Sequence, residues 1–260
     1  MKFFKILSTV LLALSFTGCL DIDEKIEVRK DGSGDYAMKV DMSQMVEMLQ
    51  TYVGRDELAK KGMEKMDTTI YMKDLVDTLS GLSAERKALL APGSVHVKLN
   101  LDEKVFTTSM LFPYTSQDNL QKLYTTMSDG SLGTTQLLRG LTPMGQDDMA
   151  GAAVGGGSGS DINQFNGIYD FTSRDGLIRK KVNMDKWKEL QQNPQLDQLK
   201  EAGKMGLEIL YTTTVKLPRP VIRVDNPLAK LSEDKRVVMI RYNLIDVFEH
   251  PEQFGFTIEY

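Results

Sequence analysis

The sequence predicts an α+β fold in which antiparallel sheets are built from β-hairpins followed by helices. Three observations support this fold class. Several short segments alternate apolar and polar residues, turn sequences rich in Asp and Gly separate the members of each pair, and helix-capping residues follow the hairpins. The chain has 260 residues, which is enough for one large domain or two smaller domains with hydrophobic cores.

The first predicted hairpin covers residues 22–42. Ile26 and Val28 alternate with charged residues, residues 31–34 have the turn sequence Asp-Gly-Ser-Gly, and apolar residues alternate again up to Met42. The aspartates around the two glycines could also begin a calcium loop. Such a loop needs further oxygen ligands and a closing glutamate, which the following sequence lacks, so we interpret the segment as a hairpin turn.

Helices and further strands follow this hairpin up to residue 127. Ser43 is a suitable N-cap, and the apolar residues behind it have helical spacing. Pro92 and Gly93 end the helical part, and strand alternation then returns. The elements predicted after the first helix are helices over residues 56–79 (broken or kinked near Gly62), 83–90 and 116–127 and strands over residues 95–101 and 105–112.

The second half of the chain repeats the order strand, turn, strand, cap and helix. Its hairpin is predicted over residues 168–184, and Asp185 is the expected cap. Residues 39–50 and 181–192 share five of twelve residues at an offset of 142, which suggests a duplicated ββα unit. The later elements predicted are a helix over residues 193–204 and strands over residues 207–217, 221–224, 236–247 and 254–260.

A glycine-rich segment separates the two halves. Residues 151–160 consist almost entirely of Gly, Ala and Ser, a composition typical of flexible linkers. No Gly-Lys-Ser/Thr follows it, which argues against a phosphate-binding loop. We therefore divide the chain into a signal peptide that is removed (1–18), a first α+β half (19–127), a flexible linker or loop (128–162) and a second α+β half (163–260).

The first nineteen residues have the pattern of an export signal. Lys2 and Lys5 provide a positive region, and residues 6–16 form an apolar run interrupted only by Ser and Thr. This run is shorter than the roughly 18 apolar residues that begin to indicate a membrane-spanning helix. Gly18 then precedes Cys19, the single cysteine of the chain. Without a second cysteine, Cys19 cannot form a disulfide within the chain.

Residues 16–19, Phe-Thr-Gly-Cys, resemble the cleavage box of a bacterial lipoprotein precursor, in the looser form found in Bacteroidetes lipoproteins. The resemblance covers only the first nineteen residues. It implies cleavage between Gly18 and Cys19, a diacylglyceryl group on the Cys19 sulfur, and a fatty acyl group such as palmitate on the new amino terminus. Several acyl chains together give stable membrane attachment. An ordinary secretory peptide with a coincidental cysteine is the alternative.

The residue after Cys19 bears on the destination of the protein. In Gram-negative lipoproteins an aspartate at this place signals retention in the inner membrane. Leu20 stands there instead, so the resemblance implies the outer membrane. The acidic residues within 21–24 are similar to surface-export tethers of Bacteroidetes lipoproteins, but their alternation with isoleucines also fits the start of a strand. We expect the periplasmic face rather than the cell surface.

Composition limits the partners of the protein. The formal net charge is −4, and removal of Lys2 and Lys5 with the signal peptide leaves 30 basic against 36 acidic residues, a charge of −6. No basic tract of the kind that binds nucleic acid is present, so we expect no nucleic-acid partner. The expected partners are the membrane, through lipidated Cys19, and another envelope protein or lipid.

Motifs of catalysis and metal binding are missing from the sequence. His96 and His250 have no neighbouring ligand set, and we interpret them as surface or edge histidines. Residues 232–235 have the pattern Ser-x-x-Lys without the companion motifs of penicillin-binding enzymes. We therefore predict no catalytic residue, no metal and no cofactor. An envelope hydrolase with dispersed acidic and Ser residues is the alternative.

Methionines are concentrated in the first predicted helix and its surroundings. Met42, Met45 and Met48 are spaced by three residues and lead to Tyr52. Thioethers could bind Cu(I), but the same spacing is typical of a helix face that packs on a sheet. A third hypothesis is an apolar groove, formed by these four residues, for an acyl chain or a partner helix. Trp187 is interpreted as the core anchor of its own helix.

Together these patterns predict a lipid-anchored α+β protein that binds another envelope component without catalysis. Strand periodicity begins within a few residues of Cys19, and a chain extends at most about 3.6 Å per residue. We therefore expect the first hairpin to lie close to the bilayer.

Overall fold

The computed structural model describes residues 20–60, 64–79, 81–128, 167–204 and 208–260. The predicted signal peptide, Cys19 and most of the predicted linker lie outside these residues. The strands, in chain order, are β1 Leu20–Val28, β2 Gly34–Asp41, β3 Lys65–Tyr71, β4 Ser94–Asn100, β5 Val105–Tyr114, β6 Tyr169–Arg174, β7 Leu177–Val182, β8 Ile209–Lys216, β9 Arg223–Val224, β10 Ala229–Leu231, β11 Val237–Asn243 and β12 Phe256–Glu259. The α-helices are α1 Ser43–Tyr52, α2 Arg55–Lys60, α3 Ala84–Leu90, α4 Gln117–Ser128, α5 Met184–Leu190 and α6 Pro194–Lys204.

The strands form two sheets, which confirms the predicted α+β class. The large sheet has eight strands in the order β10-β11-β8-β1-β2-β5-β4-β3, and the small sheet has the order β6-β7-β12-β9. The large sheet is mixed rather than purely antiparallel, because β1 pairs with β8 in parallel, Leu20 opposite Ile209. It takes strands from both sides of residues 129–166, so both predicted halves contribute to one sheet.

Alternating side chains give the large sheet one buried and one more exposed face. Along β1, Ile22 and Ile26 point to the buried face, and Lys25 between them is exposed. The small sheet and α4 pack on the buried face through aromatic rings, one pair edge-on and one pair stacked. The Tyr124 ring of α4 lies 6.0 Å from that of Tyr36 in β2 and 4.2 Å from that of Phe171 in β6. The core therefore lies between the two sheets.

The helix predicted over residues 56–79 is wrong from Lys65 onward. Helix α2 covers Arg55–Lys60, residues 65–71 form strand β3, and a 3₁₀ turn covers Met72–Asp74. Thr68, Thr69 and Ile70 are β-branched, and β3 completes the edge of the large sheet by pairing with β4. Pairing with a distant strand therefore overrode the helical pattern.

Other differences are smaller. Asn183, not Asp185, caps α5, because its side-chain oxygen accepts hydrogen bonds from the N–H groups of Asp185 and Lys186. The strand predicted over residues 236–247 ends at Asn243, whose side chain caps a 3₁₀ turn. Trp187 is 3% exposed, so its interpretation as a core anchor is confirmed. Both hairpins of the predicted repeat, β1–β2 and β6–β7, are present and each precedes a helix.

Candidate functional site

Strand β1 orients the molecule relative to the predicted lipidation site. Leu20, the residue after Cys19, is the first residue of β1 and is buried. The parallel neighbour β8 begins beside it at Ile209, and β2 ends beside it, with Asp41 opposite Asp21. We call this end of the large sheet, where β1 begins, the anchor end. The opposite end, about 30 Å away along nine residues of strand, is called the far end.

The far end carries a pocket of about 410 Å³ between three loops and the start of α4. These loops are the β1–β2 turn, the β6–β7 turn and the segment after β8. Three cationic and two anionic side chains contribute to the lining, although the whole chain is acidic. The lining residues are Arg29, Lys30, Asp31, Gly32, Gln117, Asp175, Pro218 and Arg219.

Internal contacts hold several of these lining groups in place. Asp31 accepts hydrogen bonds from the backbone N–H of Ser33 at 3.0 Å and from its hydroxyl at 2.7 Å, and these bonds lower the pKa of the Asp31 carboxyl. Arg219 donates to Asp175 at 2.5 Å. Its guanidinium also lies 5.3 Å from the centre of the Tyr260 ring. The two carboxylates of the pocket are therefore already engaged.

Gln117 connects the pocket to the small sheet. Its side-chain NH₂ donates to the Tyr260 hydroxyl at 3.0 Å, and its carbonyl oxygen accepts from the Ser173 hydroxyl at 3.2 Å. Because Gln117 is the first residue of α4, these bonds hold the start of that helix against the small sheet. The Gln117 side of the pocket is therefore joined to the small sheet.

A charged pair lies at the centre of the molecule. The Lys180 ammonium of β7 donates to the Glu24 carboxylate of β1 at 3.2 Å, and both side chains are almost completely buried. The same carboxylate accepts hydrogen bonds from the Thr213 hydroxyl at 3.0 Å and the Tyr36 hydroxyl at 3.2 Å. These contacts join β1, β2, β7 and β8, and hence the two sheets.

Aromatic rings surround the ammonium group of this pair. Lys180 Nζ lies 4.6 Å from the ring centre of Tyr169, 5.2 Å from that of Tyr211 and 5.6 Å from that of Tyr124. Burial raises the pKa of the Tyr211 and Tyr124 hydroxyls well above their usual value, and the nearby Glu24 charge adds to the rise. The ion pair is thus fully enclosed, and its geometry suits a clamp between sheets rather than contact with a ligand.

Sequence reasoning missed this pair, although each member carries a signal. Glu24 occupies an inward position of β1 between Ile22 and Ile26, and Lys180 occupies one of β7 between Ile178 and Val182. A charged residue on an otherwise apolar strand face is rarely buried without a partner. Two such residues in separate hairpins could therefore have been predicted to pair.

The predicted site residues have different outcomes. Gly18 and Cys19 lie outside the described residues, so lipidation stays a prediction. Met42 is partly buried against the core, whereas Tyr52 is 84% exposed. Met45 and Met48 belong to α1, but their side chains lie outside the description, so the four-residue groove also stays a prediction.

The motifs discounted in the sequence occupy ordinary structural positions. His96 lies 2.8 Å from Asp67 across β3 and β4, and His250 lies 3.6 Å from Glu252. The Ser232 hydroxyl donates to Asp234 and closes the turn before β11. Among the described residues no three His, Cys, Asp or Glu side chains are grouped as a metal site. Nor does this part of the chain contain a helix with the length and apolar character needed to cross a membrane.

Comparison with known proteins adds little. No protein-family model matches the chain, and no curated protein matches it significantly. Among solved structures, the folded domain of LppM from Mycobacterium tuberculosis, determined by NMR, aligns with 95% of this chain and 94% of its own. The TM-score is 0.35 and the sequence identity is 9%. A similarity of this size supports no argument about function.

Proposed function

We propose that the protein is a lipid-anchored, non-catalytic binding protein of the bacterial envelope. Acyl chains on Cys19 hold it in the outer membrane, on the periplasmic face, and the far end binds an anionic group of another envelope component. The resemblance of residues 16–19 to a lipoprotein cleavage box supports the anchor. Phosphate and carboxylate groups, of lipids or of proteins, have the charge that the pocket favours.

One observation carries the proposal. Strand β1 begins at Leu20, directly after the predicted lipidation site, and lies near the middle of the large sheet. No spacer separates the acyl chains from the folded protein, so the anchor end would lie on the bilayer and the far end would point away from it. A pocket about 30 Å from the membrane is accessible to partners in the periplasm.

The charge of the pocket supports an anionic ligand. Arg29 and Arg219 each contact one carboxylate, of Asp35 and Asp175, and retain further N–H donors. Lys30 adds a third cation to the lining. The pocket volume lies within the roughly 300–1,000 Å³ of small-ligand sites. In a chain with net charge −4, a lining with three cations against two carboxylates is the feature most suited to binding an anion.

The anchor is tested by metabolic labelling with palmitate in a bacterial host. We expect the wild-type protein to incorporate the label and to remain in the membrane fraction after a high-salt wash. Cys19→Ser should incorporate none and should not be processed at residue 18. Labelling of the Cys19→Ser variant, or unlabelled wild-type protein, would contradict the proposal.

The pocket is tested on residues 19–260 with Cys19→Ser, produced without the signal peptide, by titrating with inorganic pyrophosphate and following backbone amide shifts by NMR. We expect shifts around Lys30 and Arg219, and their loss in Lys30→Glu. Lys98→Glu, a similar charge reversal on β4, is the matched control and should bind like the parent protein. Equal shifts in both variants, or none in the parent, would exclude the pocket as an anion site.

A further inference from the structure

We infer that three exposed apolar side chains of the anchor end, Tyr52, Val53 and Met184, enter the headgroup region of the bilayer beside the acyl chains. We call them the apolar rim. The inference rests on the proposed anchor, and it assigns a defined membrane-contact surface to a protein otherwise attached only by lipid.

The position of α1 brings Tyr52 and Val53 to the anchor end. Asp41 pairs with Asp21, next to Leu20, and α1 begins two residues later at Ser43. The ten residues of α1 span about 15 Å, which is the width of about three strands. The helix then reaches the end of β4, where the Gln50 side-chain NH₂ donates to the Leu101 carbonyl at 2.7 Å.

The buried ion pair brings Met184 to the same level. The β6–β7 turn lies in the far-end pocket, so β7 runs from the far end toward the anchor end. Lys180 on β7 contacts Glu24 on β1. Leu20 lies four residues before Glu24, and Met184 lies four residues after Lys180. Both residues therefore lie at a similar distance from the Glu24–Lys180 pair, on the side of the anchor end.

The apolar rim combines exposure with a place beside the anchor, which other exposed apolar side chains such as Ile222 and Tyr71 are not shown to share. Tyr52 is 84% exposed, Met184 49% and Val53 43%. A tyrosine has an apolar ring and a polar hydroxyl and is enriched at membrane–water interfaces. Exposed apolar side chains that lie beside a lipid anchor lose contact with water when the anchor enters the bilayer.

The charges near the rim are largely paired. Lys104 lies 2.7 Å from Glu47 of α1, and Arg55 of α2 contacts Asp102. Near Met184, Lys186 lies 3.5 Å from Asp170. Paired charges limit the repulsion that an acidic protein would otherwise meet at an anionic membrane surface. The bilayer is therefore the occupant that fits this end.

The single tryptophan of the chain, Trp187, is buried, so an added tryptophan can report contact with lipid. We would purify lipidated wild-type, Tyr52→Trp and Tyr71→Trp proteins from membranes and reconstitute them in vesicles of phosphatidylethanolamine and phosphatidylglycerol. Each is compared with and without lipids brominated on the acyl chains, which quench tryptophan. Tyr71 is the matched control, because it is 56% exposed and ends β3 on the side of the far end.

After subtraction of the wild-type signal, we expect brominated lipid to quench the added fluorescence of Tyr52→Trp, because an interfacial ring lies next to the brominated chains. Tyr71→Trp should be unaffected. Flotation of the vesicles is measured on the same samples. If the protein floats but brominated lipid does not selectively quench Tyr52→Trp, the inference is wrong and the anchor stands. A rim that is covered by a second copy of the chain would give this result. Protein that fails to float overturns the anchor on which the inference rests.

Discussion

The buried pair of Glu24 and Lys180 gives the most quantitative prediction. Glu24→Gln keeps the size of the side chain but removes its negative charge, and Lys180→Met removes the ammonium. Each single substitution leaves one buried group without its charged partner. The double variant leaves two neutral side chains of nearly the original volume in the same position between the sheets.

The expected magnitudes follow from the enclosure of the pair. Both side chains are at most 1% exposed, so solvent cannot compensate for a lost partner. Removing one member of a buried ion pair costs about 3–5 kcal/mol, a large share of the roughly 5–15 kcal/mol that stabilises a domain. The Tyr36 and Thr213 hydroxyls still donate to Glu24 in Lys180→Met, which places that variant at the lower end of the range. We expect the double variant to lose about 2 kcal/mol or less.

Urea unfolding of residues 19–260 with Cys19→Ser, produced without the signal peptide and followed by Trp187 fluorescence, measures these losses. Trp187 is 3% exposed, so its emission should shift when the core opens. The four proteins form a double-mutant cycle, and the coupling free energy should be at least about 3 kcal/mol. Single losses below about 1 kcal/mol, or a double loss equal to the sum of the single losses, would refute the reasoning.

Two further predictions concern the far end and the core. Gly34→Ala should lose about 4 kcal/mol in free energy of unfolding, because a Cβ there would overlap the Glu27 carbonyl and the Tyr114 hydroxyl and break the hydrogen bond between them. Gly32 has a φ of +81° and open space around it, so Gly32→Ala should lose only about 1–2 kcal/mol in free energy of unfolding. Equal losses for the two variants in urea titrations would contradict this difference. Burial raises the pKa of seven tyrosine hydroxyls, so their contribution to stability is complete below about pH 10, where a tyrosine ionises in the unfolded chain, and is lost above it. Phenolate absorbance should therefore rise abruptly together with the loss of circular dichroism, and gradual ionisation of all tyrosines in the folded protein would contradict their burial. The seven are Tyr36, Tyr114, Tyr124, Tyr169, Tyr211, Tyr242 and Tyr260.

Local patterns predicted most of the fold, and long-range pairing accounts for the main errors. The hairpin around Gly32 depends on alternation and turn residues that lie within twenty positions of one another, and it was predicted correctly. Strand β3 was predicted as helix because its conformation depends on pairing with β4, about thirty residues later. The parallel pairing of β1 with β8 joins residues more than 180 positions apart, which no local pattern contains.

The candidate site also has one part that local sequence predicts and another that depends on long-range contacts. Cys19 was singled out from four adjacent residues, because an export signal is read as a linear sequence. The far-end pocket brings Arg29, Asp175 and Arg219 together from three separate loops, so only the tertiary structure reveals it. The Glu24–Lys180 pair spans 156 positions. Its members carry a local signal of unusual burial, but their pairing depends on how the two sheets stack.

The central claim is that Cys19 carries the lipid that holds Leu20, and with it the anchor end, against the bilayer. Mass spectrometry of the amino-terminal tryptic peptide from membrane-extracted protein tests it most directly. The account predicts a peptide of residues 19–25 that begins at Cys19 and carries diacylglyceryl and acyl groups. A peptide that begins elsewhere, or one with an unmodified Cys19 thiol, would contradict it.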